Sequence, residues 1–207
     1  LSLFIVFEGV EGCGKSYQSR VLHKRLIKEG ISAILTYEPG GTRLGDRIRN
    51  ILKNTDETGM TPVTELFLIS AARAQHVDNV IIPALKDNKT VICDRFIGST
   101  MAYQGYGRVL DLEAVNNIIR FSTAGIEPDL NILLDLPVEK GLSRKHSNGN
   151  DRFEAEHISF HQRVRNGYLE MARQNSDKWM IIDARLTRDE ISDIIWEKIG
   201  VLIENSI

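Results

Sequence analysis

Gly9-Val10-Glu11-Gly12-Cys13-Gly14-Lys15-Ser16 fits the pattern Gly-x-x-x-x-Gly-Lys-Ser/Thr of a phosphate-binding loop. Its flanks suit that reading. Leu3 to Phe7 is a short, wholly apolar run, as in a strand buried on both faces. After Ser16, Val21, Leu22, Leu26 and Ile27 recur at helical spacing, and Gly30 is placed to end the helix. The loop therefore falls between a strand and a helix. Glycines let the backbone turn several N–H groups onto one anion, and the helix starting at Lys15 adds the positive end of its dipole. The Lys15 ammonium can reach outer phosphates and the Ser16 hydroxyl can ligate magnesium.

The 207 residues read as one domain with a substantial core. Net charge is −2, so a basic surface for nucleic acid is not expected and phosphate affinity must come from local arginines. No apolar run reaches membrane-spanning length and no signal peptide is recognisable, which suggests a cytoplasmic protein without a membrane partner. Two cysteines, Cys13 and Cys93, make neither a metal nor a disulfide framework. Cys13 reads as a small buried spacer, with a thiolate favoured by the loop's positive charge as the alternative.

Beyond the loop, short apolar runs alternate with helical patterns. Ile31 to Tyr37, Thr90 to Asp94, Leu130 to Leu134 and Trp179 to Asp183 read as strands. Helices are expected around Leu44–Leu52, from Thr61-Pro62 (cap, then proline at the first position) to Gln75, over Val77–Lys86 with a kink at Pro83, and at Leu112–Phe121. Val138–Arg144, Phe153–Arg173 and Thr187–Ile203 complete the set, with a polar stretch between the first two that suits a moving lid at about 144–156. The pattern predicts an α/β fold, a parallel sheet with helices on both faces. Ligands of such sheets bind beyond the strands' carboxyl ends, where the first loop, Asp94 and Asp135 all lie.

A phosphate loop alone names no reaction. Asn88-Lys89 is followed by Thr90-Val91, so the Asn-Lys-x-Asp signature of guanine readers is absent. Glu38-Pro39-Gly40-Gly41-Thr42, Asp94-Arg95-Phe96, Ser99 to Gly105 and Asp151-Arg152-Phe153-Glu154 together resemble thymidylate kinase from Phe4 to about Asp183. The loop has no arginine at its variable positions while the later segment supplies Arg152, a division similar to the family's bacterial form. The resemblance implies a P-loop nucleoside monophosphate kinase fold, usually dimeric, that converts ATP and dTMP to ADP and dTDP with magnesium.

It also implies roles. Arg95 holds the monophosphate with Arg49 as a second clamp, and Arg152 stabilises charge in transfer. Asp94 holds a magnesium-bound water or orients Arg95, with a strand-end cap as the alternative and Asp135 as a competitor. Glu11 meets the sugar 3′-hydroxyl or merely pairs with a nearby arginine. Tyr103 excludes a ribose 2′-hydroxyl or is a plain core tyrosine. Arg73 bonds a thymine carbonyl, with Thr100 and Gln104 nearby. Ile69 stands where the family carries a phenylalanine that stacks on the base, so stacking is weaker or comes from another ring. Tyr37 stands where a basic residue is common. Arg144 stacks on adenine, framed by Ala184 and Arg185. Rival readings are a kinase for another nucleotide or a deoxynucleoside, and a nucleotide-dependent switch or binding module acting through a protein partner.

Overall fold

The apolar run before the phosphate loop forms β1, Phe4–Glu8, the centre of a five-stranded sheet. The computed structural model describes residues 2–54, 59–144 and 152–204. Within them, β2 is Ala33–Tyr37, β3 Thr90–Asp94, β4 Leu130–Asp135 and β5 Trp179–Asp183. The spatial order is β2-β3-β1-β4-β5 and all pairings are parallel. The helices are α1 (Lys15–Lys28), α2 (Arg43–Lys53), α3 (Pro62–His76), α4 (Ile82–Lys86), α5 (Ile97–Thr100), α6 (Leu112–Ser122), α7 (Val138–Arg144), α8 (Ile158–Gln174) and α9 (Arg188–Glu204).

Alternation along β1 explains its lack of polar positions before Glu8. Ile5 and Phe7 join a core with Leu22 and Leu26 of α1 and Ile191, Ile195 and Ile199 of α9. Phe4 and Val6 face the other way, onto Val77, Ile81 and Phe96. Strand β4 divides likewise: Ile132 and Leu134 lie on the α1–α9 side, and Leu133 packs with Phe160, Val164 and Tyr168. Helices thus cover both faces, as expected of a parallel sheet. Each such buried side chain contributes about 2 kcal/mol, so a five-residue strand holds its place without a polar face.

Several boundaries follow the sequence signals. Gly30, at φ +78°, ends α1 while the Ile31 amide donates back to the Leu26 carbonyl at 2.9 Å. Thr61 caps α3 by accepting from the Thr64 amide, with Pro62 behind it.

Other expectations need correction. The irregularity expected at Pro83 appears earlier, as a π-helical stretch over Val77–Ile81. Proline donates no hydrogen bond and crowds the carbonyl four residues back, and the wider turn precedes it. The hydroxyl-rich segment after β3 is also helical: α5 runs into a second π-helical stretch, Met101–Gly107, that carries Tyr103 and Gln104. The long helix expected from Phe153 starts only at Ile158, because His157 is extended and its ring accepts from the Ser159 amide as a cap. The second strand starts at Ala33, not Ile31.

The chain leaves β1 for β2, returns through β3 beside β1, then crosses to β4 on the opposite side. That reversal of direction opens a crevice at the carboxyl ends of β3, β1 and β4. In register there, Phe7 pairs with Asp94 and Glu8 with Leu133.

Candidate functional site

The crevice is a cleft of about 1010 Å³, at the upper end for a single-ligand site. The phosphate loop crosses its floor. Gly9, Gly12 and Gly14 have φ of +140°, +71° and +100°, which side chains rarely adopt. A Cβ on Gly12 would also stand 2.1 Å from the Gly141 carbonyl oxygen, so α7 is packed directly on the loop. Lys15 is buried and curls back, donating to the carbonyls of Gly9 at 3.0 Å and Val10 at 2.9 Å. Cys13 is buried, its sulfur 3.5 Å from the Lys15 ammonium, the packing expected of a spacer.

Strand β3 delivers Asp94 and Arg95 beside this loop. The Asp94 carboxylate accepts a short hydrogen bond from the Ser16 hydroxyl. Asp135, its competitor in the sequence, is engaged bidentately by Arg165 at 2.8 Å. Among the described residues no three His, Cys, Asp or Glu side chains cluster as a metal cage. One carboxylate and one hydroxyl beside a phosphate loop fit magnesium, which keeps most of its shell for water and substrate phosphates.

Arg95 occupies φ +74°, a left-handed conformation that costs a non-glycine residue about 1–3 kcal/mol. A dense set of bonds holds it. Its guanidinium donates to Glu11 Oε1 at 2.6 Å, the Gly9 carbonyl at 3.1 Å, Ser99 Oγ at 3.1 Å and Tyr168 Oη at 3.2 Å. Burial opposes its charge, but the oxygens of Tyr103, Glu11, Tyr168 and Asp94 more than offset this, and Arg95 holds its proton even more firmly than usual. Burial likewise raises the phenols of Tyr103 and Tyr168 well above their ordinary range. Glu11 therefore shows the arginine pairing foreseen as an alternative. Tyr103 packs its ring in an apolar cluster, as a core tyrosine does, while its hydroxyl reaches Arg95 at 3.3 Å and Glu11 at 3.2 Å inside the cleft.

Glu8 organises this corner, yet the apolar run it terminates concealed it. Fully buried, its carboxylate accepts the amides of Phe96 and Ser99 at 3.0 Å, the Ser99 hydroxyl at 2.6 Å and the Tyr168 hydroxyl at 3.0 Å. A carboxylate at the end of a central strand was the available signal.

The cleft has two ends. At one, Arg144 donates to the Ala184 carbonyl at 3.2 Å, and Gln18 donates to the Arg188 carbonyl at 2.8 Å. The Arg188 guanidinium lies over the Tyr17 ring, 4.5 Å from its centroid. Arg185, expected to share this end with Ala184, instead turns onto Asp183 and holds that carboxyl down at about 2. At the other end, Arg49 donates to the Pro39 carbonyl at 2.8 Å and sits over Tyr37, whose hydroxyl binds Asp46. Arg73 is 1% exposed, its Nε donating to Glu38 and its Nη2 to the Phe96 carbonyl. Its Nη1, Thr100 Oγ1 and Gln104 Oε1 are buried without a hydrogen-bond partner among the described residues. Ile69 and Phe153 line the same end.

Arg152 is not brought to the phosphate loop. It donates to the buried Glu65 carboxylate at 2.6 Å and to the Leu52 carbonyl at 3.1 Å. Glu65 also takes Arg108 at 3.0 Å and the Gln104 amide at 2.7 Å, and sequence reading missed it, a carboxylate buried in the first turn of α3. The expected lid at 144–156 falls mostly on residues 145–151, outside the described residues.

Comparisons with known proteins point to one family. The family model described as thymidylate kinase matches residues 7–195. A protein named thymidylate kinase from Dehalococcoides mccartyi is 47% identical over 203 residues, 98% of each chain. Another so named, from Geotalea daltonii, is 47% identical over 198 residues, 92% of each. The crystal structure of thymidylate kinase from Ehrlichia chaffeensis superposes with a TM-score of 0.77 at 32% identity, covering 97% of this chain and 98% of that one. The sheet order, the glycine loop on its central strand and the full-length likeness converge: this chain belongs to the thymidylate kinase family.

Proposed function

We propose that the chain transfers the γ-phosphoryl group of ATP to dTMP, giving ADP and dTDP. The supporting observation is a single cleft that has a phosphate loop and Arg95 at its middle and three buried, unpaired polar atoms at one end. In the transfer, the bond from the γ-phosphorus to its bridging oxygen breaks as one forms to a phosphate oxygen of dTMP. Two anions must be held nose to tail, so the catalyst's task is alignment and charge neutralisation.

The backbone from Gly9 to Ser16 would cradle the triphosphate, Lys15 leaving its loop carbonyls for the outer phosphates. Ser16 and Asp94 are the oxygen pair that would hold magnesium, whose charge offsets that of the phosphates. Arg95 and Arg49 would clamp the dTMP phosphate, and Arg152, released from Glu65, would approach the transferred group. Glu11 would exchange part of its bond to Arg95 for the 3′-hydroxyl, while Tyr103 fills the space of a ribose 2′-hydroxyl. Arg73, Thr100 and Gln104 would meet the pyrimidine edge above Ile69. At the other end Arg144 would cover adenine. We take the chain to act as one kinase domain with a lid at about 144–156.

We also propose a cytoplasmic homodimer. No helix among the described residues is long and apolar enough to cross a membrane, and Val63 and Phe67, one turn apart on α3, leave an apolar strip exposed for a second copy. The decisive assay offers ATP and magnesium with dTMP, dUMP, UMP, CMP or thymidine. Preferred turnover of dTMP is expected. Preference for thymidine or UMP, or ATP hydrolysis indifferent to dTMP, refutes the reading.

A further inference from the structure

We propose that Glu65, from behind the cleft, sets the acceptor's base preference by fixing which end of the Gln104 amide is left free. This deepens the acceptor reading above and rests on it.

Gln104 lines the cleft together with Arg73 and Thr100. Each of the three is 1% exposed, and each has one buried polar atom without a hydrogen-bond partner among the described residues. Unpaired buried polar atoms are costly, so the set calls for a ligand. Arg73 engages Glu38 through Nε and the Phe96 carbonyl through Nη2, which leaves Nη1, a donor. Thr100 offers a hydroxyl, which donates or accepts as its partner requires.

Gln104 is the member that could face either way. Its amide is a donor at one end and an acceptor at the other, and half a turn of the last side-chain bond exchanges them. Glu65 removes that freedom. It is fully buried, its carboxylate can only accept, and it takes Gln104 Nε2 at 2.7 Å. The amide nitrogen is therefore engaged and the oxygen is the free end. Glu65 is held in turn: Arg108 Nε and Nη2 donate to its two oxygens at 3.1 and 3.0 Å, and Arg152 Nη2 donates to Oε2 at 2.6 Å.

The free pair is thus one donor, Arg73 Nη1, and one acceptor, Gln104 Oε1. A base with a carbonyl beside a ring N–H, such as thymine, satisfies both. A 4-aminopyrimidine presents the opposite pair, an amino group and a bare ring nitrogen, so donor meets donor and acceptor meets acceptor. In E65Q the position of Oε2, which faces two guanidinium nitrogens, keeps the oxygen. The new NH2 then falls where it faces Gln104 and demands an acceptor. The Gln104 amide turns to meet it and presents its own NH2 to the base. One of the two mismatches with a 4-aminopyrimidine disappears, and thymine gains one.

The test uses the full chain with ATP and magnesium. It compares kcat/KM for dTMP with that for 5-methyl-dCMP, which differs only in its 4-amino group and bare N3. The ratio cancels any inactive fraction and any change at Arg152, since both substrates meet the same protein. Wild type should prefer dTMP, and equal use of the two overturns the proposal without any variant. E65Q should lower the ratio by about tenfold, the effect of turning one hydrogen bond from match to mismatch. An unmoved ratio, with both kcat/KM values falling together, shows a structural role only and overturns it. Q104M removes the amide, so its ratio should also fall, and adding E65Q to Q104M should not lower it further. An unmoved Q104M ratio, or a further fall in the double variant, overturns the proposal. Wild-type protein that turns dTMP over while a variant fails these expectations defeats this inference alone; wild-type protein inactive on dTMP defeats the function as well.

Discussion

Replacing Glu65 by glutamine probes the node that holds Arg152. The substitution keeps volume and removes one charge. Glu65 is fully buried and accepts from Arg152 at 2.6 Å, from Arg108 at 3.0 and 3.1 Å, and from Gln104 at 2.7 Å. Charge-assisted hydrogen bonds are each worth about 1.5–3 kcal/mol, and stripping one partner from a buried pair costs about 3–5 kcal/mol. Two features lower the figure. Arg108 keeps Glu156 at 2.5 Å, and the two arginine side chains are 15% and 14% exposed, so water recovers part of the loss. We expect E65Q to lose about 2–3 kcal/mol, or roughly 5–10 °C in melting temperature for a chain of this size. Urea unfolding of wild type, E65Q, R152A and the double variant then isolates the pair, with a coupling of about 1 kcal/mol expected. An E65Q midpoint indistinguishable from wild type, or strict additivity with R152A, would refute the reasoning.

Four further outcomes follow from particular contacts. K15A should abolish transfer, and R152A should lower kcat by about a thousandfold while dTMP KM moves far less, both read by coupled ADP release. G141A reverses the usual benefit of alanine in a helix, because its Cβ would stand 2.3 Å from the Glu11 carbonyl oxygen; ATP KM should rise at least about tenfold as the loop backbone shifts. Y103F should change kcat/KM less than about threefold, since its hydroxyl bonds are 3.2 and 3.3 Å long, whereas Y103A should raise ribonucleotide turnover relative to dTMP. His161 is held below its ordinary pKa by burial, with Glu11, Glu156 and Glu154 pulling it partway back. The folded state thus favours neutral imidazole, and its contribution to stability is present above about pH 6.5 and is lost as pH falls below that value. Urea midpoints should show that slope in the wild type and a shallower one in H161Q.

Much of the architecture is legible in the sequence alone. Leu3 to Phe7 had to be buried on both faces because it has no polar alternation, and a strand buried twice belongs to a parallel sheet. Glu38 to Thr42 and Asp94 to Phe96 stand beside strand ends, where local turn chemistry is written in the residue types. Helix starts were readable at Thr61-Pro62 but not at Phe153, because that segment is set by distant partners: Arg152 by Glu65 and Phe153 by two apolar clusters.

The linear order of residues thus determined the sheet class, the loop that grips phosphate and the family motifs, since each depends on neighbours within a turn or two. It could not determine who pairs with whom across the cleft. That Glu8 braces Ser99 and Tyr168, that Asp94 rather than Asp135 meets Ser16, and that Arg152 rests on Glu65 are matters of tertiary structure. A charged group's partner depends on distance in space and on burial, and both exist only once the sheet has brought residues as far as 160 positions apart, Glu8 and Tyr168 among them, or 170, Gln18 and Arg188, within hydrogen-bonding reach.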